Sequence, residues 1–111
     1  MKSSDLDILN NMPFLFWVKD QNGKYLWGNR AICDAASEDV TGKTDAELIW
    51  SKSAEKLRKA DKQVFETRQP VYLHEHVIKS AGGEITLNVC KFLAQLDGKE
   101  RNFGVSFTIG A

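Results

Sequence analysis

Two histidines and two cysteines are the side chains of this 111-residue chain that could bind a metal or carry redox chemistry. His74 and His76 lie two residues apart, so on a strand they share one face, but two imidazoles make at most half of a metal site. Cys33 and Cys90 form neither a CxxC pair nor a His/Cys zinc spacing. The pattern therefore predicts no metal site and two reduced thiols, as in a cytosolic protein.

Catalytic motifs are the second kind of chemistry to consider. A nucleophile needs a base within hydrogen-bond reach and a third group to orient that base. The sequence has no G-x-S-x-G elbow, no H-E-x-x-H pair and no phosphate-binding glycine loop. Gly82, Gly83 and Gly98 fall in predicted turns, where their backbone freedom explains them. We therefore predict no catalytic residue and expect that the protein is not an enzyme.

Charge and hydropathy narrow the possible partners. Fifteen basic and fifteen acidic residues cancel, so no overall field favours nucleic acid or an anionic membrane. The longest apolar run, residues 12–18, is far shorter than a bilayer span, and no signal peptide is visible. We expect a cytoplasmic protein that contacts neither membrane nor nucleic acid directly, built as one domain over residues 1–111.

The elements that must position any site follow from the apolar pattern. Asn22-Gly23 is a strong hairpin signal, Asn29 is placed to cap a helix, and from Pro70 the apolar period changes to two. The predicted elements are a helix over 1–12, strands over 14–19 and 24–28, helices over 30–36 and near 44–50, a helix over 51–68, and strands over 71–79, 84–95 and 101–109. Strand runs separated by a helical block indicate an α+β fold with an antiparallel sheet.

One carboxylate lies on the apolar stripe of the longest predicted helix. Asp61 comes seven residues after Ala54 and three before Val64. It either reaches water at the edge of the stripe or is buried and needs a cationic or hydrogen-bonding partner. If Asp61 faces inward, Lys19 is the charged partner we expect.

Short motifs in a fixed order along the chain resemble those of PAS domains, above all the bacterial ones that precede histidine kinases, diguanylate cyclases or helix-turn-helix regulators. The order and spacing of the motifs carry the resemblance, since each alone is weak. They are residues 11–13, Trp17-Val-Lys-Asp20, residues 22–26, 29–31, Gly42-Lys-Thr-Asp45, Leu57-Arg58, Asp61, Val64, Gly83, Asp97-Gly98 and Gly104-Val-Ser106. The resemblance implies a five-stranded antiparallel sheet with short helices over one face, an N-terminal helix, and a ligand pocket between sheet and helices.

The resemblance and the apolar pattern disagree on which sheet face lines the pocket. The pattern alone would turn the more apolar faces, such as Phe103, Val105 and Phe107, toward the covering helices. The resemblance instead implies that Asn88, Cys90, Phe92 and Ser106 lie on the pocket side. We follow the resemblance, so the apolar face becomes an outer surface that needs another cover. We predict a homodimer through the N-terminal helix and this face, with interface candidates Leu6, Leu9, Phe14, Phe16, Phe103, Val105 and Phe107.

The resemblance also bears on cofactors. Flavin-photosensing relatives need a cysteine where this chain has Asp45, and haem-binding relatives use a histidine on the long helix, where this chain has none. We therefore predict neither haem nor covalent flavin.

What remains is a pocket suited to an unknown small organic ligand. The candidates are Trp17, Trp27, Trp50 and Phe92 for the walls and Lys19, Asp61, His76, Asn88, Cys90 and Ser106 for polar contacts. The alternative is that the aromatic residues fill the core and the domain serves only for dimerisation. The chain contains no effector domain, and Thr108-Ile109 departs from the Asp-Ile-Thr-like exit of relatives.

Overall fold

Five antiparallel strands form one sheet, with helices on both of its faces. The computed structural model of the chain describes residues 1–78 and 83–110. The strand order is β2-β1-β5-β4-β3. The strands are β1 (Leu15–Lys19), β2 (Tyr25–Gly28), β3 (Val71–Ile78), β4 (Glu84–Leu96) and β5 (Lys99–Gly110). The helices are an N-terminal 3₁₀ helix (Ser3–Asn11), α1 (Arg30–Ala36), 3₁₀ turns at Asp45–Glu47 and Ser51–Ser53, and α2 (Ala54–Thr67). The predicted α+β sheet is confirmed.

Side-chain oxygens fix the turns of the first half. The Asp20 carboxylate accepts hydrogen bonds from the backbone N–H groups of Asn22 and Lys24, both at 2.9 Å, which closes the β1–β2 hairpin. Asn29 Oδ1 accepts from the N–H of Ile32 at 3.2 Å and caps α1 as predicted. Its Nδ2 donates to the carbonyl of Leu9 at 3.0 Å, so one asparagine joins the N-terminal helix to α1.

The last three strands are joined by hairpins. Asp97 and Gly98 both have positive φ, 51° and 79°, as a two-residue type I′ turn requires. The Asp97 N–H donates to the carbonyl of Met1 at 2.9 Å, which holds the start of the chain against this turn. The predicted turn over 80–83 and the end of the predicted strand at residue 79 fall almost wholly outside the described residues.

The sheet has two faces with different covers. Its inner face packs under α1, α2 and the short 3₁₀ turns, and buries Trp17, Tyr25, Leu87 and Val89. On the outer face Leu6 of the N-terminal helix packs with a separate buried group, Val18, Leu96 and Phe103. The N-terminal helix therefore covers part of the outer face, as the resemblance implied.

The face predicted for β4 is wrong. Phe92 pairs with Phe103, and Cys90 pairs with Val105, in the β4–β5 register. Because paired residues of neighbouring strands project to the same side, Phe92 and Cys90 share the outer face with Phe103. The inner face of β4 carries Ile85, Leu87, Val89 and Lys91, as apolar alternation alone would have predicted. On β5 the resemblance was right, since Ser106 is inner and Val105 outer.

Candidate functional site

Five charged side chains meet beneath the helical cover, and we call them the charge cluster. Each comes from a different element: Lys19 ends β1, Asp45 begins a 3₁₀ turn, Asp61 lies in α2, Glu75 in β3 and Lys91 in β4. None is more than 8% exposed. The fold therefore places an ionic network in its core.

Asp61 lies at the centre of the charge cluster. Its Oδ2 is 2.8 Å from Lys19 Nζ, and its Oδ1 is 3.0 Å from Lys91 Nζ. Asn102 of β5 donates a further hydrogen bond to Oδ1 at 3.2 Å. The buried alternative for Asp61, with Lys19 as its partner, is thus confirmed, and the solvent-facing one is wrong.

Asp45 holds the other side of Lys19. Lys19 Nζ lies 2.6 Å from Asp45 Oδ2 and 4.6 Å from the centre of the Tyr25 ring, a cation–π distance. Asp45 Oδ1 accepts hydrogen bonds from the Tyr25 hydroxyl at 2.7 Å and from Trp50 Nε1 at 2.8 Å. The carboxylate at the position of the photosensor cysteine is therefore a structural acceptor for three groups.

Burial and pairing compete in the charge cluster. Burial alone would raise the pKa of Asp61, but Lys19 and Lys91 lower it below its ordinary value. Burial would likewise lower the pKa of Lys19, and the carboxylates of Asp45 and Asp61 raise it. For Glu75 burial prevails over the ion pair with Lys91, so the pKa of Glu75 is raised. Asp61 and Lys19 are therefore held charged, whereas Glu75 is biased toward its neutral form.

A cavity adjoins the charge cluster on the inner face. The centres of water-sized molecules can occupy about 50 Å³ of it, more than the 10–15 Å³ or so that one water needs. Lys19, Glu75, Lys91 and Tyr25 line one part of it. The other lining residues are largely apolar: Leu15, Trp17, Ile32, Ala35, Trp50, Leu57, Val77, Ile85 and Leu87. The cavity thus has an apolar wall and a charged end.

A glycine sets the position of one wall. A Cβ on Gly104 would come within 2.1 Å of the Trp17 indole, so the ring can lie flat on β5 only because residue 104 has no side chain. The buried Trp17 Nε1, Asn102 Oδ1 and Ser106 Oγ have no hydrogen-bond partner among the described residues. The inner face of β1 and β5 thus keeps unused polar groups near the charge cluster.

The structure brings together about half of the predicted pocket residues. Trp17, Lys19 and Trp50 line the cavity, and Ser106 lies buried on the same face. Asp61 forms ion pairs with both lysines that line the cavity.

The other pocket candidates lie elsewhere. Asn88, Cys90 and Phe92 project to the outer face because of the β4–β5 register, and His76 is on the outer face of β3 beside Thr86. Trp27 packs against the group around Leu6 and Phe103 on the outer side.

Three polar residues of the site were not predicted from the sequence: Tyr25, Glu75 and Lys91. Two of them carried a signal. Glu75 stands between Leu73 and Val77, and Lys91 continues the series Ile85-Leu87-Val89, so each charge occupies an apolar-facing position of a strand.

The predicted interface residues divide into two sets. Leu6 and Phe103 are buried by contacts within the chain, and Leu9 and Phe16 pack against them. The rings of Phe14 and Phe107 pack at 5.0 Å between centres with a tilt of 48°, and Phe107 remains 49% exposed. Tyr72, which was not predicted, is 75% exposed on the same face.

Two further findings concern the described part of the chain. Within residues 1–78 and 83–110 no group of three or more His, Cys, Asp and Glu side chains is arranged to hold a metal ion. No helix in these ranges has the length and apolar character needed to cross a bilayer.

Comparisons with known proteins place the chain in a family. A diguanylate cyclase of Vibrio cholerae is 29% identical over 83 residues, which is 72% of this chain and 26% of the cyclase. Two solved structures, of the Vibrio cholerae VqmA dimer and of VqmA bound to DPO, each superpose with a TM-score of 0.82 at 18% identity. They match 96% of this chain and 51% and 57% of theirs, so the chain spans about a quarter to a half of these relatives.

A shorter structure gives the same fold over almost its whole length. The PAS domain of an HTR-like protein from Haloarcula marismortui has a TM-score of 0.74 at 22% identity, and the match covers 96% of this chain and 91% of that one. The family model described as PAS fold matches residues 9–108. The chain belongs to the PAS-fold family.

Proposed function

We propose that the chain is the sensory domain of a signalling protein and that the cavity on the inner face binds a small organic ligand. The observation that carries the proposal is the cavity of about 50 Å³ with an apolar wall and a charged end. Apolar pockets with a few convergent polar groups are typical of small-molecule sites. The aromatic residues Trp17 and Trp50 line this space and leave it open, which supports sensing over the alternative of a filled core.

The charge cluster gives a route by which a ligand could be reported. Lys19 and Lys91 line the cavity, and both bond Asp61 of α2. A ligand that contacts this end of the cavity changes the electrostatic surroundings of the ion pairs that join α2 to the sheet. Replacing a buried ion network by apolar side chains is often neutral or stabilising, so stability alone does not account for these five charges.

The relatives supply the setting of the proposal. VqmA, which shares the fold, has been solved bound to DPO, and the relative from Vibrio cholerae is a diguanylate cyclase. The matched region is only part of each of these relatives, and we propose that this domain likewise passes its signal to an effector. We propose no catalytic activity for the domain itself.

Native mass spectrometry of the freshly purified domain tests ligand binding. We expect a copurified small molecule that is lost in Ala35→Leu, because the longer side chain fills the cavity. The matched control is Ala46→Leu, at an exposed position outside the cavity lining, which should keep the molecule. A ligand-free wild type that also binds nothing from a metabolite extract would contradict the proposal.

We propose a second copy of the chain as the partner of the outer face. Phe107 on β5 and Tyr72 on β3 are exposed aromatic residues of the outer face on either side of β4, and Ile8 of the N-terminal helix is 68% exposed. Clustered exposed apolar side chains typically mark interaction sites. Sedimentation velocity over a hundredfold range of concentration tests the proposal, and a monomer throughout would contradict it.

A further inference from the structure

The charge cluster contains one hydrogen-bond position that no described residue fills. Both oxygens of Asp45 and of Asp61 accept at least one bond. Glu75 Oε2 is 3.1 Å from Lys91 Nζ, whereas Glu75 Oε1, which is not among the fully enclosed polar atoms, accepts no hydrogen bond from the described residues. Glu75 lines the cavity and is only 8% exposed. The free acceptor therefore belongs to a nearly buried side chain at the charged end of the cavity.

The two lysines cannot supply the missing donor. Lys19 Nζ is engaged by Asp45, Asp61 and the Tyr25 ring. Lys91 Nζ is engaged by Asp61, Glu75 and, at 3.5 Å, the carbonyl of Leu57. Their ammonium groups donate to these other acceptors, and neither makes a hydrogen bond to Glu75 Oε1.

The charges of the cluster do not cancel. Two lysines face three carboxylates, Asp45, Asp61 and Glu75, which leaves one negative charge when all are ionised. A net charge in a buried site is costly, so the site gains from either a proton or a cation. Of the three carboxylates, Glu75 is the one that lines the cavity.

We propose that the cavity selects a protonated amine on a short apolar body, whose N–H donates to Glu75 Oε1. This inference rests on the proposed ligand-binding function and names the chemical class of its ligand. With the bound cation, three positive charges face the three carboxylates of the charge cluster. The apolar part of the ligand lies against residues such as Ala35 and Leu87. An anion of the same size would add a second uncompensated negative charge beside Glu75.

Binding of such a cation is linked to a proton. Burial raises the pKa of Glu75, and the cation pairs with the ionised carboxylate, so a proton on Glu75 competes with the cation. Charged and titratable groups of every neighbouring element face this region, and each affects the protonation equilibrium of Glu75. They are Lys91 of β4, Asp61 of α2, Lys19 of β1, Asp45 of the 3₁₀ turn and Tyr25 of β2. We expect the affinity for the cation to fall as the pH is lowered and Glu75 is protonated.

The test uses three compounds that share a three-carbon chain: n-propylamine, 1-propanol and propionate. Each is titrated into the ¹⁵N-labelled domain while the amide signals of Ala35, Ile85 and Leu87 are followed. We expect saturable shifts with propylamine, an affinity about ten- to a hundredfold higher than for propanol, and the weakest response with propionate. In Glu75→Gln the preference for the amine over the alcohol should disappear, whereas Glu66→Gln, an exposed charge change on α2, should retain it.

Calorimetry provides a measurement that does not depend on a variant. Titration of propylamine into the wild type in two buffers of different ionisation enthalpy should show proton release, and propanol should show none. Equal or tighter binding of propanol or propionate would overturn the inference while leaving the cavity as a ligand site. Failure of all three compounds to bind would also overturn it, and the copurified molecule then decides the proposed function separately.

Discussion

The two faces of β5 present opposite chemistry within one strand. Asn102, Gly104 and Ser106 project inward, and Asn102 joins the charge cluster by its bond to Asp61. Phe103 and Val105 project outward, where Phe103 stacks on Phe92 at 5.6 Å between ring centres. The inner face is thus polar near its centre and lies beside a cavity, whereas the outer face is close-packed and aromatic.

The difference shows that burial in this domain serves two purposes. On the outer face apolar area is removed from water by the N-terminal helix, while the Asp97 carboxylate accepts from the N–H of Ser3 at the exposed start of that helix. On the inner face five buried charges are kept in place at the cost of desolvation, and a cavity is left open beside them. Changes on the outer face should therefore alter stability independently of pH, while changes on the inner face should alter stability, pH dependence and ligand binding together.

Removing the central carboxylate should have the largest effect. In Asp61→Asn, Lys19 and Lys91 lose their shared negative partner, and we expect a loss of about 3–5 kcal/mol in the free energy of unfolding, measured by urea denaturation. Glu66→Gln on the same helix, at an exposed position, should change stability by less than about 0.5 kcal/mol. If Asp61→Asn alters neither stability nor ligand affinity, the inner network is not the element that distinguishes the two faces.

The outer face should lose stability by a different mechanism. Leu6→Ala removes a buried side chain of the N-terminal helix and should cost about 2–5 kcal/mol, by lost apolar burial and a residual cavity. This loss should be the same at pH 5 and pH 8, because the deleted side chain packs among the apolar residues Val18, Leu96 and Phe103. Ile8→Ala, on the same helix but 68% exposed, should have little effect. Equal losses for the two variants would show that the helix does not pack as described.

The pH dependence of stability separates the two faces more finely. The pKa of Glu75 is raised in the folded protein. The contribution of Glu75 to stability is therefore fully present when the pH is below the ordinary glutamate pKa near 4.3, and it falls as the pH rises through the pKa of the folded state. Glu75→Gln mimics the protonated form. We expect this variant to become more stable than the wild type as the pH rises, by about 1–2 kcal/mol. Parallel pH profiles for the two proteins would contradict the raised pKa.

The smallest effect on stability should come from the exposed part of the outer face. Phe107→Glu places a charge where the side chain is half exposed, so the midpoint of urea unfolding of the monomer should hardly move. Sedimentation velocity should nevertheless show weaker self-association. Glu84→Lys, an exposed change at the start of β4, serves as a control for altered net charge. A dimer unchanged by Phe107→Glu would remove this surface from the interface.

Much of the fold could be predicted from the sequence because its signals are local. The Asn29 cap, the Asn22-Gly23 and Asp97-Gly98 turns and the change to period two at Pro70 each depend on a few neighbouring residues.

The site was harder to predict because it depends on register. The face that each β4 residue occupies is set by the pairing of β4 with β5. The resemblance put Asn88, Cys90 and Phe92 on the wrong face, whereas apolar alternation would have put them on the correct one. The Asp61–Lys19 pair was predicted, but Glu75 and Lys91 were not, since a lone charge within a strand does not reveal its partner on another.

The central claim is that the inner face encloses a cavity, which NMR under xenon pressure tests most directly. Xenon enters dry apolar cavities, so the methyl signals of Ile85 and Leu87 should shift and saturate, while those of Leu6 and Leu96 in the packed outer group should not. Equal, non-saturating shifts of all four residues would mean that the inner core is filled, and would contradict the account of this domain as a ligand sensor.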